Sequence, residues 1–392
     1  MRIAVVMPRG CLMERGHTNS METVALTLNL RSRFEDDIRI ICDAGAADPA
    51  MPGLMTIPGG LSKAERRKVV AGVLRDLAPD IVEYHQQLGP AAELARLLPG
   101  PMHVLYRHTR IKPPSNPIEG FRYRRRLQAF NHLVFVSEAA CAEFRSDYPR
   151  FKGAISAVCN PIDIEAWRGD VAAREPLILF SGRALPEKGL DAFCEALATV
   201  LDGNPTWRGA LMLGEWERNR AWAEPHVRAL ERFGDRVELH KSASMAKVIE
   251  VSRRAAIAVT PSRVAEALGL TALEAHAAGA ALVSSGRGGL REASGGHALY
   301  VDPPGAPGLA DAITRLVTDD KLRRRMASAG QTHVVAIHNP VVRAQQLDDL
   351  RQRIADEGRV RSGHHPSRLR MIGQSSGSPV IDRGLPWADA PF

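Results

Sequence analysis

Short runs of Val, Ile, Leu and Ala with few polar interruptions recur along the chain, each followed by a longer stretch whose apolar residues are spaced by three and four. Such runs fit strands buried on both faces, and their alternation with helical segments fits βα units around a parallel sheet. In the first half they predict strands at Ile3–Met7, Ile38–Cys42, Ile81–Tyr84, His103–Tyr106, Leu133–Ser137 and Ile155–Cys159. A second series predicts strands at Leu177–Phe180, Ala210–Leu213, Val237–His240, Ile257–Thr260 and Ala281–Ser284. The fold class is therefore α/β: two doubly wound, Rossmann-like domains, 1–165 and 166–338, whose strand C-termini line one shared cleft. Val341, Ala344, Leu347, Leu350 and Ile354 share a helical spacing and predict a terminal amphipathic helix over 339–356. From about Gly358 onward Ser, Gly, Pro, Arg and His dominate without any apolar period, and 357–392 are expected to form a mobile tail.

Composition narrows the class. With 45% hydrophobic and 24% charged residues in 392, the chain can bury a core in each domain, which excludes a fibre or a disulfide-stapled scaffold. No apolar stretch approaches the roughly 18 residues of a membrane span. The run Ile3–Met7 is cut by Pro8-Arg9-Gly10 without a small-residue cleavage site, so it reads as a strand and not a signal peptide, and a cytoplasmic location is expected. Cys11, Cys42, Cys141, Cys159 and Cys194 lie far apart with no Cys-x-x-Cys pair, as expected of unpaired thiols; structural zinc is not expected.

The net charge of +8 has a local source, because Arg107 to Lys152 holds ten Lys/Arg against four Asp/Glu. Within it, Phe121-Arg122-Tyr123-Arg124-Arg125-Arg126-Leu127 puts Arg122, Arg125 and Arg126 on one helix face. Arg122, Arg124, Arg125 and Arg126 could rest on an anionic membrane at its inner face, or form a solvated surface. Nucleic acid is not an expected partner, since no aromatic stacking ladder accompanies the arginines.

Two segments carry the candidate chemistry. Ser181-Gly182-Arg183-Ala184-Leu185-Pro186-Glu187-Lys188-Gly189 directly follows a predicted strand, where Arg183 and Lys188 could neutralise a pyrophosphate. The second runs Glu266-Ala267-Leu268-Gly269-Leu270-Thr271-Ala272-Leu273-Glu274. On a single helix two glutamates eight apart would be separated by about 12 Å along the axis, too far to act on one bond. We therefore read Glu266 as a loop residue and Glu274 as part of a helix beginning near Gly269. The open amides of Gly269, Leu270 and Thr271 would then favour a phosphate, with the glutamates accepting from sugar hydroxyls beside it. Taken alone, each of these charges also reads as an ordinary surface group. No Asp-x-Asp sequence is present to hold a divalent metal, so cations are expected to stabilise a departing phosphate.

Together the two segments resemble the retaining nucleotide-sugar glycosyltransferases of family 4, which have the GT-B fold. Gly182-Arg183 with Glu187-Lys188-Gly189 resembles the family's Gly-Arg-x-x-x-Glu-Lys-Gly turn, and Glu266 to Glu274 its Glu-x7-Glu block, followed by Gly288-Gly289-Leu290-Arg291-Glu292. Further matches are Asp80 to His85, His108-Thr109, Val136-Ser137-Glu138 and Val158 to Asp163. The resemblance implies hexose transfer from a nucleotide diphosphate sugar, UDP favoured and GDP possible, to a glycan or lipid-linked acceptor, in surface polysaccharide, lipopolysaccharide or glycolipid assembly. It implies no metal and no cofactor beyond the donor. It also implies that Arg183, Lys188, Gly269, Leu270, Thr271 and Glu274 bind the donor, with His108 and Glu266 as the catalytic residues at the sugar. His85 is a weaker candidate for the same cleft, outside the catalytic set. The helix after Pro340 would cross back to the first domain. One departure stands out: where the family has Gly-Gly-x-Glu, this chain has Asn19-Ser20-Met21-Glu22, preceded by Gly16 and His17. The rival readings are epimerisation of a nucleotide sugar on the same scaffold and a catalytically weak nucleotide-sugar-binding protein.

Overall fold

The computed structural model describes residues 1–14, 19–46, 49 and 54–361. The first half alternates β1 (Ile3–Val6), α1 (Ser20–Asn29), β2 (Ile38–Asp43), β3 (Met55–Ile57), α2 (Lys63–Leu77), β4 (Ile81–His85) and α3 (Leu88–Leu97). It continues with β5 (Met102–Arg107), α4 (Pro117–Leu127), β6 (His132–Phe135), α5 (Glu138–Asp147), β7 (Ala154–Ala157) and α6 (Ile164–Trp167). These strands form one parallel sheet in the order β3-β2-β1-β4-β5-β6-β7. Strand β1 pairs on both sides, with Ile3 opposite Ile38 and Ile81.

The second half runs β8 (Glu175–Arg183), α7 (Leu190–Gly203), β9 (Arg208–Gly214), α8 (Trp216–Arg228), β10 (Val237–Lys241), α9 (Met245–Arg254) and β11 (Ala255–Thr260). There follow α10 (Leu270–Ala278), β12 (Ala281–Ser284), α11 (Gly289–Ser294), β13 (Ala298–Tyr300), α12 (Ala306–Thr318) and α13 (Asp320–Ile337). Its sheet has the order β10-β9-β8-β11-β12-β13, again parallel. In both sheets the order reverses direction beside the first strand, and strand C-termini at such a switch point open a crevice for ligands. The chain is thus a pair of Rossmann-like units, as the hydrophobic pattern predicts.

Strands β3 and β13, of three residues each, have no counterpart in the prediction. Both are edge strands: Thr56 interrupts β3, and the short apolar run of β13, Ala298-Leu299-Tyr300, is partly exposed. The last helix among the described residues, α14 (Pro340–Arg361), corrects the expectation that a tail begins near Gly358. A Cβ at Gly358 would lie 2.8 Å from Met102 of β5, so the glycine allows close packing of the helix where it reads as a terminator. The rest of the expected tail lies outside the described residues.

Helix α14 packs on the N-terminal half, against α1, β4 and β5. It does so through a buried ionic cluster. Arg351 donates from Nε and Nη2 to the two oxygens of Glu83, both at 2.7 Å, and from Nη2 to Asn29 at 2.7 Å. Asp348 accepts from the Ser32 hydroxyl at 2.6 Å and the Arg33 amide at 2.7 Å. Arg351, Glu83 and Asp348 are each 1% exposed. Nearby, the two connections between the halves lie side by side: the Ile162 amide donates to His338 O at 3.0 Å, and His338 Nδ1 meets Asn160 O at 2.9 Å.

Burial alone would raise the pKa of Glu83, but the charge and hydrogen bonds of Arg351 outweigh it and hold the carboxyl below its ordinary value. A depressed carboxyl stabilises the fold above the unfolded-state pKa and loses that contribution as pH falls through the folded-state value. Glu83→Gln is expected to destabilise the protein by about 3 kcal/mol near neutral pH, because Arg351 is left buried without its counter-charge. Urea unfolding at pH 7 checks it; the difference from wild type should shrink in strong acid.

Candidate active site

Two loops at strand C-termini build the C-terminal wall of the candidate site. Strand β8 ends at Arg183, and a tight turn over Pro186–Lys188 leads to Gly189. Gly189 has φ 73°, and a Cβ there would sit 2.2 Å from the carbonyl oxygen of Pro261. Only glycine lets this turn lie against the loop after β11. Across the contact, the Arg263 amide donates to Glu187 O at 2.8 Å. Lys188 Nζ thereby reaches Glu266 Oε1 at 2.5 Å, and the Ser262 hydroxyl donates to the same oxygen at 2.6 Å.

The other side of the Glu266 loop rests on Gly288-Gly289. A Cβ at Gly288, which has φ 60°, would lie 2.5 Å from Glu266 O, and the Gly289 amide donates to that oxygen at 2.8 Å. The adjacent Glu292 reaches the N-terminal half: its carboxylate accepts from the Glu138 and Ala139 amides that open α5, both at 3.1 Å. Ser137 also donates to Ala267 O. The loop that carries Glu266 is thus pinned by both halves of the chain.

Helix α10 begins after Gly269 with no side chain capping it. Its first amides therefore lack intrahelical acceptors, and the positive end of its dipole is open. Glu266 lies outside any helix and Glu274 lies within α10, as the sequence spacing predicts. Glu274 lines a small cavity with Ser181, Thr260 and Thr271. Among the described residues it has no hydrogen bond or ion pair, and burial raises its pKa to about 7. Arg183 is more exposed and pairs with Glu187 at 3.2 Å and Glu215 at 3.8 Å.

On the N-terminal side, His108 follows β5 and His85 ends β4. Both rings stack on Tyr106, at 5.0 Å for His85 and 4.9 Å for His108, and His85 Nδ1 meets His108 Nε2 at 2.9 Å. Burial lowers the pKa of His85 to about 4. Burial, and then the neighbouring His85 and Arg107, push that of His108 well below its ordinary value. Both rings are neutral near pH 7, so one donates to the other. Gln86, held at φ 64°, accepts from the His108 amide at 3.1 Å and donates to Thr109 at 2.5 Å. Among the described residues no hydrogen bond joins His108 to Lys188, Glu266 or Glu274.

The departure at Asn19-Ser20 has a structural expression. Asn19 caps α1, accepting from the Met21 amide at 3.0 Å and the Glu22 amide at 3.1 Å, while Glu22 accepts from the Asn19 amide at 2.9 Å. Amides at this helix start are therefore occupied by the chain's own side chains. Gly16 and His17 lie outside the described residues. Sequence reasoning missed the roles of Gln86, Ser262 and Glu215. Ser262 and Glu215 carry no local signal, and Gln86 only that of a polar residue at a strand end. Among the described residues no group of three or more His, Cys, Asp or Glu is placed to hold a metal ion.

Two facing parallel sheets with a cationic turn, a paired glutamate and an open helix N-terminus at their strand ends define a GT-B glycosyltransferase. The first half matches the family model "Glycosyltransferase Family 4" over residues 13–166, and the second matches "Glycosyl transferases group 1" over 163–333. The chain belongs to the family 4 glycosyltransferases. It is 28% identical to a glycogen synthase of Mycobacterium tuberculosis over 331 residues, 77% of each chain. It is 32% identical to a D-inositol 3-phosphate glycosyltransferase of Kribbella flavida over 225 residues, 53% of each chain, and so spans about half of that relative. Among solved structures, the Anabaena protein HepE in complex with UDP and glucose matches with a TM-score of 0.73 at 16% identity, over 90% of this chain and 100% of that one. A glycosyltransferase from Rickettsia africae matches at 0.72 and 14% identity, over 90% and 98%.

The raised pKa of Glu274 makes a prediction independent of any ligand. A desolvated carboxyl favours its neutral form, so its ionisation weakens the fold progressively as pH rises from the ordinary carboxyl range to about 7, and fully above it. Glu274→Gln removes that penalty. Thermal melts should show the variant more stable than wild type at pH 8 and level with it at pH 4.5.

Proposed function

We propose that the protein transfers a hexose from a nucleotide diphosphate sugar to an acceptor hydroxyl with retention at the anomeric carbon, UDP being the favoured carrier. The observation that carries this reading is the Lys188–Glu266 pair set beside the uncapped start of α10. In it, residues 1–165 form the acceptor side, 166–338 the donor side, and the helix over 339 onward straps them. Arg183, Lys188 and the amides at Gly269, Leu270 and Thr271 take the diphosphate. Glu274 accepts from the ribose and Glu266 from the sugar hydroxyls.

The bond from the anomeric carbon to the phosphate oxygen breaks as the acceptor oxygen attacks from the same face, and the acceptor proton passes to the departing phosphate. Fixed cations and helix amides aimed at that phosphate supply the main stabilisation, without metal or cofactor. His108, neutral, hydrogen-bonds the sugar from the opposite side. The setting we propose is assembly of surface polysaccharide, lipopolysaccharide or glycolipid at the inner face of a membrane. Support comes from α4, where Ile118 and Phe121 are 68% and 65% exposed beside Arg122, Arg124 and Arg125. Such a mixture of apolar and cationic side chains suits an anionic interface.

Arg183→Ala, Lys188→Ala and Glu274→Ala should each weaken UDP binding about tenfold or more, the scale of one lost charge-assisted hydrogen bond. Changing Arg124 and Arg125 to Ala should leave UDP affinity intact and reduce retention on anionic vesicles. In a panel of UDP, GDP and ADP sugars without acceptor, anomeric proton spectra should show slow release from one donor. The first product should carry the donor's own anomeric configuration, and Glu274→Ala should abolish it. Conversion of the donor to an epimeric nucleotide sugar would instead establish the epimerase reading.

A further inference from the structure

The loops after β4 and β5 are stitched together around His108. Gln86, the first residue after β4, has φ 64°, a left-handed backbone that is strained for glutamine and relaxed for glycine. Such strain persists only where the surroundings over-determine it, and it clusters at functional sites. Here the determinants all come from the end of β5 and the loop after it. The Gln86 amide donates to Tyr106 O at 2.9 Å, and the Gln86 carbonyl accepts from Arg107 Nη1. The side-chain oxygen accepts from the His108 amide at 3.1 Å, while the side-chain nitrogen donates to the Thr109 hydroxyl at 2.5 Å. Main chain and side chain of Gln86 thus hold Tyr106, Arg107, His108 and Thr109 together. Arg107 completes the clasp by donating from Nη2 to Arg110 O at 3.1 Å and to the Thr109 hydroxyl at 3.3 Å. It is buried and has no carboxylate partner among the described residues, so its charge serves the loop's own oxygens.

Glutamine is there for its reach. Asparagine tolerates a left-handed backbone better but is one methylene shorter, and glycine has no side chain at all. A position shaped by its backbone alone would be better filled by either.

The ring of His108 is held by a second set of contacts. It stacks on Tyr106, whose hydroxyl donates to Val158 O at 3.1 Å, and its Nε2 lies 2.9 Å from His85 Nδ1. With both rings neutral near pH 7, a single proton occupies that contact. His108 therefore changes tautomer only if His85 changes in step. The far nitrogen of His85, Nε2, is buried with no partner among the described residues, so no group there eases the exchange. Nδ1 of His108 has no hydrogen bond among the described residues, and whether it donates or accepts follows from which ring keeps the shared proton.

We propose that Gln86 and His85 are positioning residues of the transfer, Gln86 fixing the backbone of His108 and His85 its ring, so that His108 meets the sugar in one orientation and one tautomer. The inference rests on the transferase reading and deepens it on the N-terminal side.

Four variants of the full chain test it. Gln86→Gly and Gln86→Asn relieve the strain and remove the clasp; His85→Leu removes the ring contact, and His85→Asn returns an amide close to where Nδ1 stood. UDP affinity should stay within about twofold of wild type in all four, since the diphosphate is held by the other half. Release of sugar is followed with the donor that wild type hydrolyses. In Gln86→Gly, Gln86→Asn and His85→Leu, kcat should fall at least about tenfold with KM little changed, as expected of a misplaced group in a reacting site. His85→Asn should recover much of the wild-type rate. In 15N spectra, the ring nitrogens of His108 should show one tautomer in wild type and in His85→Asn, and a mixture in His85→Leu. A wild-type kcat in Gln86→Gly, together with a single tautomer retained in His85→Leu, overturns the proposal. So does a parallel loss of melting temperature, UDP affinity and kcat in all four variants, which marks a purely structural role. Failure of UDP to bind wild type overturns the transferase reading instead, and the ring spectra then decide by themselves whether His85 holds His108.

Discussion

The guanidinium of Arg351 lies on α14, which follows the second half of the chain, and is buried among residues of the first, so that contact is one of those that fix the relation of the two sheets. An isolated ion in such a place would be prohibitive, because desolvation of each charge costs several kcal/mol. Arg351 is tolerated through its forked bond to Glu83 and its bonds to Asn29 and Asp348. Its geometry admits little slack, since every donor on one edge is matched to a carboxylate oxygen at 2.7 Å. A greasy contact could slide along the sheet; a fork over two oxygens has one register. The candidate site at the strand ends draws on that precision, because its Lys188 and Glu266 loops come from one sheet and its histidines from the other.

Within the C-terminal half, position is set by missing side chains. Gly189 lets one strand-end turn press on Pro261, and Gly288 lets the helix start after β12 press on Glu266. Between these two contacts the loop after β11 has nowhere to go. The eight-residue spacing of Glu266 and Glu274 occurs elsewhere in the chain, at Glu14/Glu22 and Glu187/Glu195, without any comparable setting. The glycines, and not the glutamates, distinguish this instance. They convert two charges of an ordinary kind into one carboxylate paired with Lys188 and another sunk beside Ser181 and Thr271.

This explains what could be read in the sequence. Buried parallel strands announce themselves through continuous apolar runs, and the central strands of both sheets lie where those runs fall. Edge strands β3 and β13 are short and partly exposed; Thr56 breaks the run of β3, and the run of β13 is only Ala298-Leu299-Tyr300 with Val301 after it. The Lys188 and Glu266 segments were legible because each is a local motif at the end of a strand. Partners far away in sequence were not: Arg351 and Glu83 are separated by 268 residues, and nothing near either names the other. A trace was nevertheless present, since a glutamate within the strand Ile81-Val82-Glu83-Tyr84-His85 is a buried acid that demands a cation from somewhere. Gly358 misled in the opposite direction, because a close helix packing and a helix end call for the same residue.

The charges of the two walls differ in kind, and the difference bears on how a transfer could proceed here. Lys188 and Glu266, whose side chains are 20% and 19% exposed, form a pair that is partly shielded and doubly anchored through Ser262. Arg183 and Glu187, at 47% and 44%, form one that water screens, worth well under about 1 kcal/mol. Arg183 can therefore part from its carboxylates at little cost, while Lys188 remains where Glu266 holds it. One cation is fixed and the other is free to move. Across from them, His85 and His108 are kept neutral by burial, so this wall adds no charge of its own.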